Sequence, residues 1–307
     1  MSKFFGFKPL ISALLAFSAF ASCSSENTLN GSELSQIQDS NVSSFSLSNA
    51  PISVSFNNAY KMLFTENDPI GRKDPKNPDK QLYALIKSAT KTIDAAFYDI
   101  DDQQAADAFI EAQKRGVKVR ILTDTDNMKD EVDPTLPRKQ IADMLNAGIE
   151  VKEDKRSAIM HQKFLIADGA TLLSGSMNLT STSLYQHNNN VLVFKSPELS
   201  TTFTEEFVRM FEEGKFGPNK RVISYPEATV GDANVKVFFS PRGGAQEAVF
   251  AELAKAQKSI KFMTFSLTGA ELQNIIIGKK KAGLNVEGVM DECLSRGTCL
   301  FGRWNAK

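Results

Sequence analysis

His161-Gln162-Lys163-Phe164-Leu165-Ile166-Ala167-Asp168-Gly169-Ala170-Thr171-Leu172-Leu173-Ser174-Gly175-Ser176-Met177-Asn178 is the stretch that decides how this chain is read. Two apolar runs, Phe164 to Ala167 and Ala170 to Ser174, flank Asp168-Gly169, a dipeptide suited to a two-residue hairpin turn. Side chains of an extended segment alternate in direction, so His161 and Lys163 share one side. The spacing is HxKx4Dx6GSxN, and it holds one of only two histidines in the chain. A nucleophile or base, a fixed cation, a carboxylate and a Gly-Ser turn ending in an amide are the parts needed to bind and cleave a phosphodiester. A lone histidine in an apolar run is more often a core residue than a catalyst. Here the whole spacing is present.

Working outward, Ile52 to Phe64 opens with alternating apolar residues and predicts a first strand. Glu66 to Lys80, with Pro69, Pro75 and Pro78, predicts a surface loop. Gln81 to Ala89 has helical spacing. Thr92 to Tyr98 reads as a strand, Gln104 to Arg115 as a helix closed by Gly116, and Val117 to Thr123 as a strand. Arg138 to Asn146 reads as a helix stopped by Gly148, Ile149 to Lys152 as a short strand, and Val191 to Phe194 as a buried one. Glu198 to Glu213 is helical, and its stripe of Phe203, Phe207, Met210 and Phe211 reads as core rather than as a lipid-binding face. Strands alternating with helices of about a dozen residues predict an α/β fold, with a mixed, mostly parallel sheet flanked by helices.

The chain also repeats itself. Ala89-Thr90-Lys91-Thr92-Ile93 matches Ala256-Gln257-Lys258-Ser259-Ile260, and Arg115-Gly116 through Asp124 matches Ala282-Gly283 through Asp291, both at an offset of 167. Two related lobes are expected. The counterpart of His161 would fall at position 328, beyond Lys307.

At 307 residues, 42% hydrophobic and 23% charged, the chain has ample material for a globular core. Lys plus Arg equals Asp plus Glu at 36 each, so no global basic field attracts nucleic acid. Lys3 and Lys8, an apolar run from Leu10 to Phe20, and Ala21-Ser22 before Cys23 form an export signal over residues 1–22. The apolar run is shorter than the roughly 20 residues that span a bilayer. Phe20-Ala21-Ser22-Cys23 resembles a bacterial lipobox in which Cys23 becomes lipidated; Phe20 departs from the commoner Leu, which keeps ordinary secretion as the alternative. Residues 23–50, rich in Ser and Asn, read as a flexible tether. The expected location is the cell envelope, anchored by lipid to a bacterial membrane, or secreted. Cys293 and Cys299 are either a disulfide or two unrelated thiols. No spacing of His, Cys and carboxylates fits a metal site, and no cofactor is implied.

The 161–178 stretch resembles the HKD motif of the phospholipase D superfamily, and every position of that motif is occupied. The resemblance implies a phospholipase D-like lobe over residues 51–225 and a partial, truncated second lobe over 232–307 that lacks the second motif. It implies a phosphodiesterase that hydrolyses or transfers phosphodiesters through a phosphohistidine on His161, with Lys163 and Asn178 holding the phosphate. Ser176 would support the histidine. Asp168 would belong to the site or serve only the turn. Many members carry an acid just before the strand that here is Val191 to Phe194; this chain has His187-Asn188-Asn189-Asn190 there, so an amide at Asn189 would replace it. The family's mechanism also calls for a second histidine, from a second motif or from a homodimer. Substrates are phospholipid or nucleic-acid phosphodiesters. The rival readings are a metal-independent endonuclease and a catalytically impaired remnant acting as a binding protein.

Overall fold

The computed structural model describes residues 49–57, 70–217 and 223–290. The expected signal segment, Cys23, nearly all of the tether and the Cys293/Cys299 pair lie outside the described residues.

Seven strands make one sheet: β1 (Ile52–Phe56), β2 (Thr92–Phe97), β3 (Lys118–Thr123), β4 (Glu150–Glu153), β5 (Lys163–Ala167), β6 (Thr171–Gly175) and β7 (Asn190–Lys195), in the order β1-β7-β6-β5-β2-β3-β4. The expected α/β class and mixed sheet hold. The expectation of mostly parallel pairing does not, because only β2/β3 and β3/β4 run parallel while β2/β5, β5/β6, β6/β7 and β1/β7 are antiparallel. The cause is local. Crossover helices α3 (Gln103–Lys114) and α4 (Lys139–Asn146) enforce parallel order up to β4. The Asp168-Gly169 turn, with φ of 54° and 64°, then sends β6 straight back.

One sheet face packs on α2 (Asp79–Ser88), α3 and α4 through Leu82, Leu85, Phe109, Ile121 and Ile141. The other packs on α6 (Pro197–Phe211), whose Phe207, Met210 and Phe211 are buried against Ala96, Phe164 and Ile166. The stripe on this helix is core, as the sequence predicts. Truncating any one of its buried phenylalanines to alanine costs about 3–5 kcal/mol. Arg120 of β3 spans the same face, donating to both oxygens of Asp94 at 2.7 and 2.9 Å and to Glu212 at 2.6 Å.

The expected loop from Glu66 to Lys80 is only partly a loop where it is described. It holds a short helix α1 (Ile70–Lys73) and the start of α2, and it buries Asn77 and Asp79. Asn77 Nδ2, Tyr185 Oη and Lys80 Nζ all donate to Asp79, which is why a carboxylate is tolerated inside. Burial still raises its pKa. A five-residue helix α5 (Ser181–Tyr185), which carries Tyr185, was not legible in the sequence.

Beyond α6, a hairpin of β8 (Glu227–Val230) and β9 (Ala233–Lys236) adds Ala228, Val230, Val237 and Phe239 to the α6 core. Phe239 meets Phe203 edge-on at 5.1 Å. The boundary expected at residue 232 therefore falls in the turn of a hairpin that covers the first core. Past it, α7 (Ala245–Lys255) leads to β10 (Ser259–Thr264), α8 (Ala270–Lys281) and β11 (Asn285–Met290). These last three elements keep the lengths of β2, α3 and β3, each starting 167 residues later (92 to 259, 103 to 270, 118 to 285). Even the register is shared, with Thr92↔Lys118 in one and Ser259↔Asn285 in the other, and Gly116 and Gly283 both have φ of 91°.

Candidate active site

The C-terminal ends of β2, β3, β4 and β6 and the N-terminal end of β5 all lie at one end of the sheet, given the pairing directions. His161 and Lys163 stand there. Phe97 pairs with Lys163, and the Tyr98 amide donates to the Gln162 carbonyl at 3.0 Å, so Tyr98 and Asp99 run alongside Gln162 and His161. The Tyr98 ring meets the His161 ring edge-on at 5.0 Å. Lys163 is buried at 5% exposure; its Nζ donates to the His161 carbonyl at 3.2 Å and sits 5.3 Å from the centre of the Tyr98 ring.

This setting shifts both charges. Burial, then the nearby Lys163 ammonium, lowers the His161 pKa to about 4, so the imidazole is neutral at pH 7. Burial lowers Lys163 to about 7, against the pull of the Asp99 carboxylate. A neutral imidazole beside a cation in a dry setting is suited to attack on an anionic phosphodiester.

The Gly-Ser-Met-Asn turn leaves β6 next to β7. A Cβ on Gly175 would lie 2.2 Å from the Asn190 carbonyl oxygen, so only glycine allows this approach. The Ser176 hydroxyl donates to Asn189 Oδ1 at 2.8 Å and accepts from the Asn190 amide at 3.0 Å. Asn189 Nδ2 donates to the carbonyl and hydroxyl of Ser183 at 2.9 and 3.0 Å, and its amide N–H donates to Asn57 Oδ1 at 2.5 Å. That same Ser183 hydroxyl accepts the Asn178 amide at 2.8 Å. The Leu179 amide donates to the Asp99 carbonyl at 3.0 Å, which fixes the Asn178 turn beside the Tyr98-Asp99 segment. Asn178 Oδ1 is buried and has no hydrogen-bond partner within the protein.

Thus the structure brings His161 and Lys163 together and sets Asn178 on a turn anchored next to them, while the Ser176 hydroxyl bonds to Asn189 and Asn190 rather than to the histidine. Asp168 is elsewhere. It sits at the far end of β5, five residues from Lys163 and so roughly 17 Å away at about 3.3 Å per residue. There it accepts from the amides of Thr90, Lys91 and Thr92 and from the Thr90 hydroxyl. Burial works to raise its pKa, but those donors hold it below the ordinary value. Its place among the catalytic residues is therefore withdrawn; it locks a turn. His187 is half-buried just past α5, with its imidazole pKa lowered by burial and its backbone N–H donating to the Thr182 carbonyl.

Tyr98, Asp99, Ser183 and Asn57 were missed in the sequence. Tyr98-Asp99 follows a predicted strand at the end where α/β sheets bind ligands, and that position was the available signal. Among the described residues no group of three or more His, Cys, Asp or Glu side chains could hold a metal, and no helix is long and apolar enough to cross a membrane.

His161, Lys163 and the Gly-Ser-x-Asn turn thus lie at one end of the sheet of an α/β lobe. Residues 82–211 match the family model for the cardiolipin synthase, PLD-like domain. The mitochondrial cardiolipin hydrolase of Chlamydomonas reinhardtii is 35% identical over 127 residues, covering 41% of this chain and 54% of that protein. A phospholipase D of Rickettsia conorii is 30% identical over 134 residues, 44% of this chain and 64% of the relative. The solved phosphatidylserine synthase of Haemophilus influenzae shares the fold, with a TM-score of 0.52 at 13% identity over 79% of this chain and 63% of that one. The likeness to phospholipase D-like domains covers residues 82–211 of this chain. The chain spans between about half and two thirds of the length of these two curated relatives.

Proposed function

We propose that this protein is a phosphodiesterase acting on phospholipids, with His161 as nucleophile. The observation that carries the reading is the packing of neutral His161 and buried Lys163 against one tyrosine ring. An imidazole nitrogen attacks phosphorus, the P–O bond to the leaving alcohol breaks, and the P–N bond forms. Water then attacks phosphorus, its proton passing to the group that protonated the leaving oxygen, the P–N bond breaks, and the imidazole is restored; an alcohol in place of water gives transfer. Lys163 and Asn178 hold the non-bridging oxygens, whose negative charge grows in the transition state. The leaving oxygen takes its proton from a paired second site, as the family resemblance implies.

Support for a lipid comes from the names of the relatives and from charge. Residues 98–102, 124–138 and 154–163, which lie at the site's end of the sheet, carry nine carboxylates against five basic side chains. A polyanionic nucleic acid is disfavoured by such a field far more than a single phosphodiester group is. Cys23 would place the protein at the envelope as a lipid-anchored enzyme, and Cys23→Ser would then release it from the membrane fraction. The test of function is turnover of phospholipid in mixed micelles and of a single-stranded oligonucleotide, with and without EDTA. Lipid cleavage that survives EDTA and drops by about 10²–10⁴ or more in His161→Ala and in Lys163→Ala supports the reading. Cleavage of the oligonucleotide alone, or loss of activity on chelation, overturns it.

A further inference from the structure

We propose that Asp99 is a positioning residue that keeps Lys163 protonated in the working enzyme. The inference rests on the reading of Lys163 as the phosphate-holding cation, and it starts from register. Antiparallel pairing of Phe97 with Lys163 and the Tyr98 to Gln162 bond carry the β2 segment on so that Asp99 lies opposite His161, two residues from Lys163. Its carboxylate is fixed there: Arg138, itself buried, donates to Asp99 Oδ1 at 2.6 Å. Its carbonyl accepts the Leu179 amide at 3.0 Å, so one residue joins the anion to the turn that carries Asn178. Lys163 has a backbone carbonyl and an aromatic ring as near neighbours, neither of which neutralises an ammonium. A buried ammonium without a counter-charge deprotonates.

The charged surroundings are few. His161 faces Lys163 from its own strand and is neutral above pH 4 to 5. From the β2 segment Tyr98 and Asp99 face it, and Asp101 lies beside Asp99. From the start of α4 comes Arg138, with Glu131 behind it at 3.4 Å. Asp124 and Asp126, from the loop after β3, face the Tyr98 hydroxyl. Asp99 is the carboxylate that raises the Lys163 pKa against burial.

The test is direct titration of the Lys163 side chain by NMR with labelled lysine, its resonance assigned by its loss in Lys163→Met. Asp99→Asn retains the shape, the Leu179 contact and an acceptor for Arg138. It is expected to lower the Lys163 titration by about one pH unit, and Asp99→Glu to restore it in part. In turnover, Asp99→Asn then loses about tenfold relative to the parent near pH 8 and little near pH 5. An unchanged Lys163 titration in Asp99→Asn overturns the proposal, whatever the activity. A shifted titration in a protein that turns over no phosphodiester leaves Asp99's role standing and removes the functional reading instead.

Discussion

Lys163 donates its ammonium to the backbone carbonyl of His161 at 3.2 Å, and its charge adds to burial in holding the His161 imidazole at a pKa of about 4. In the proposed mechanism the cation would serve both the substrate and the nucleophile. An imidazole kept neutral over the physiological range is ready to attack without first losing a proton.

The pH dependence follows from these two groups. His161 must be neutral, so activity rises as pH climbs through about 4; Lys163 must be charged, so activity falls as pH climbs through about 7. A profile of kcat/KM with a plateau between those values is expected. A profile that keeps rising above pH 8 would show that the Lys163 charge is not used.

Asp168 is a structural residue in this account. Asp168→Ala removes acceptors from three backbone amides and puts a side chain less tolerant of φ 54° at the turn. A loss of about 1–3 kcal/mol in urea unfolding is expected, with kcat retained at a temperature where the variant is folded. Loss of kcat in a fully folded variant would return Asp168 to the site.

Asn189 ties Ser176 to Ser183 and, through it, to the Asn178 amide. In Asn189→Asp one oxygen can still receive the Ser176 hydroxyl, but the other faces the Ser183 carbonyl where an N–H stood. The variant is expected to be less stable by about 1–3 kcal/mol. Improved turnover with unchanged stability would instead indicate that the amide merely replaces a better carboxylate.

Gly175→Ala places a methyl group 2.2 Å from the Asn190 carbonyl oxygen, a backbone atom that cannot swing aside. Strand β6 must part from β7, at a cost of about 1–3 kcal/mol or more, and Ser176 moves with it. Both stability and turnover should fall. Intact activity would mean that the Ser176 turn tolerates displacement.

How much of this was legible depends on range. The β5–β6 hairpin was plain because Asp168-Gly169 is a local turn signal between apolar runs, and the 167-residue repeat was plain because spacing survives where identity does not. Parallel pairing was overestimated because only the neighbours β2/β3 and β3/β4 are joined through crossover helices; from His161 to β7 the strands follow one another through turns or the short α5. The support of the site was hidden for another reason. Asn57 and Asn189 are 132 residues apart and meet only because β1 pairs with β7 at the sheet edge. Asp79 looked like a loop residue because its partner Tyr185 lies 106 residues away.

The central claim is a covalent bond between His161 and substrate phosphorus, and trapping that bond tests it most directly. The protein is mixed with phospholipid, quenched in alkali within a turnover, digested and analysed by mass spectrometry. The account predicts a phosphatidyl adduct on the peptide containing His161, absent from His161→Ala and discharged to a phosphatidyl alcohol when ethanol is added before the quench. Turnover of phospholipid by His161→Ala at the parent rate, or an adduct on any other residue, would contradict it.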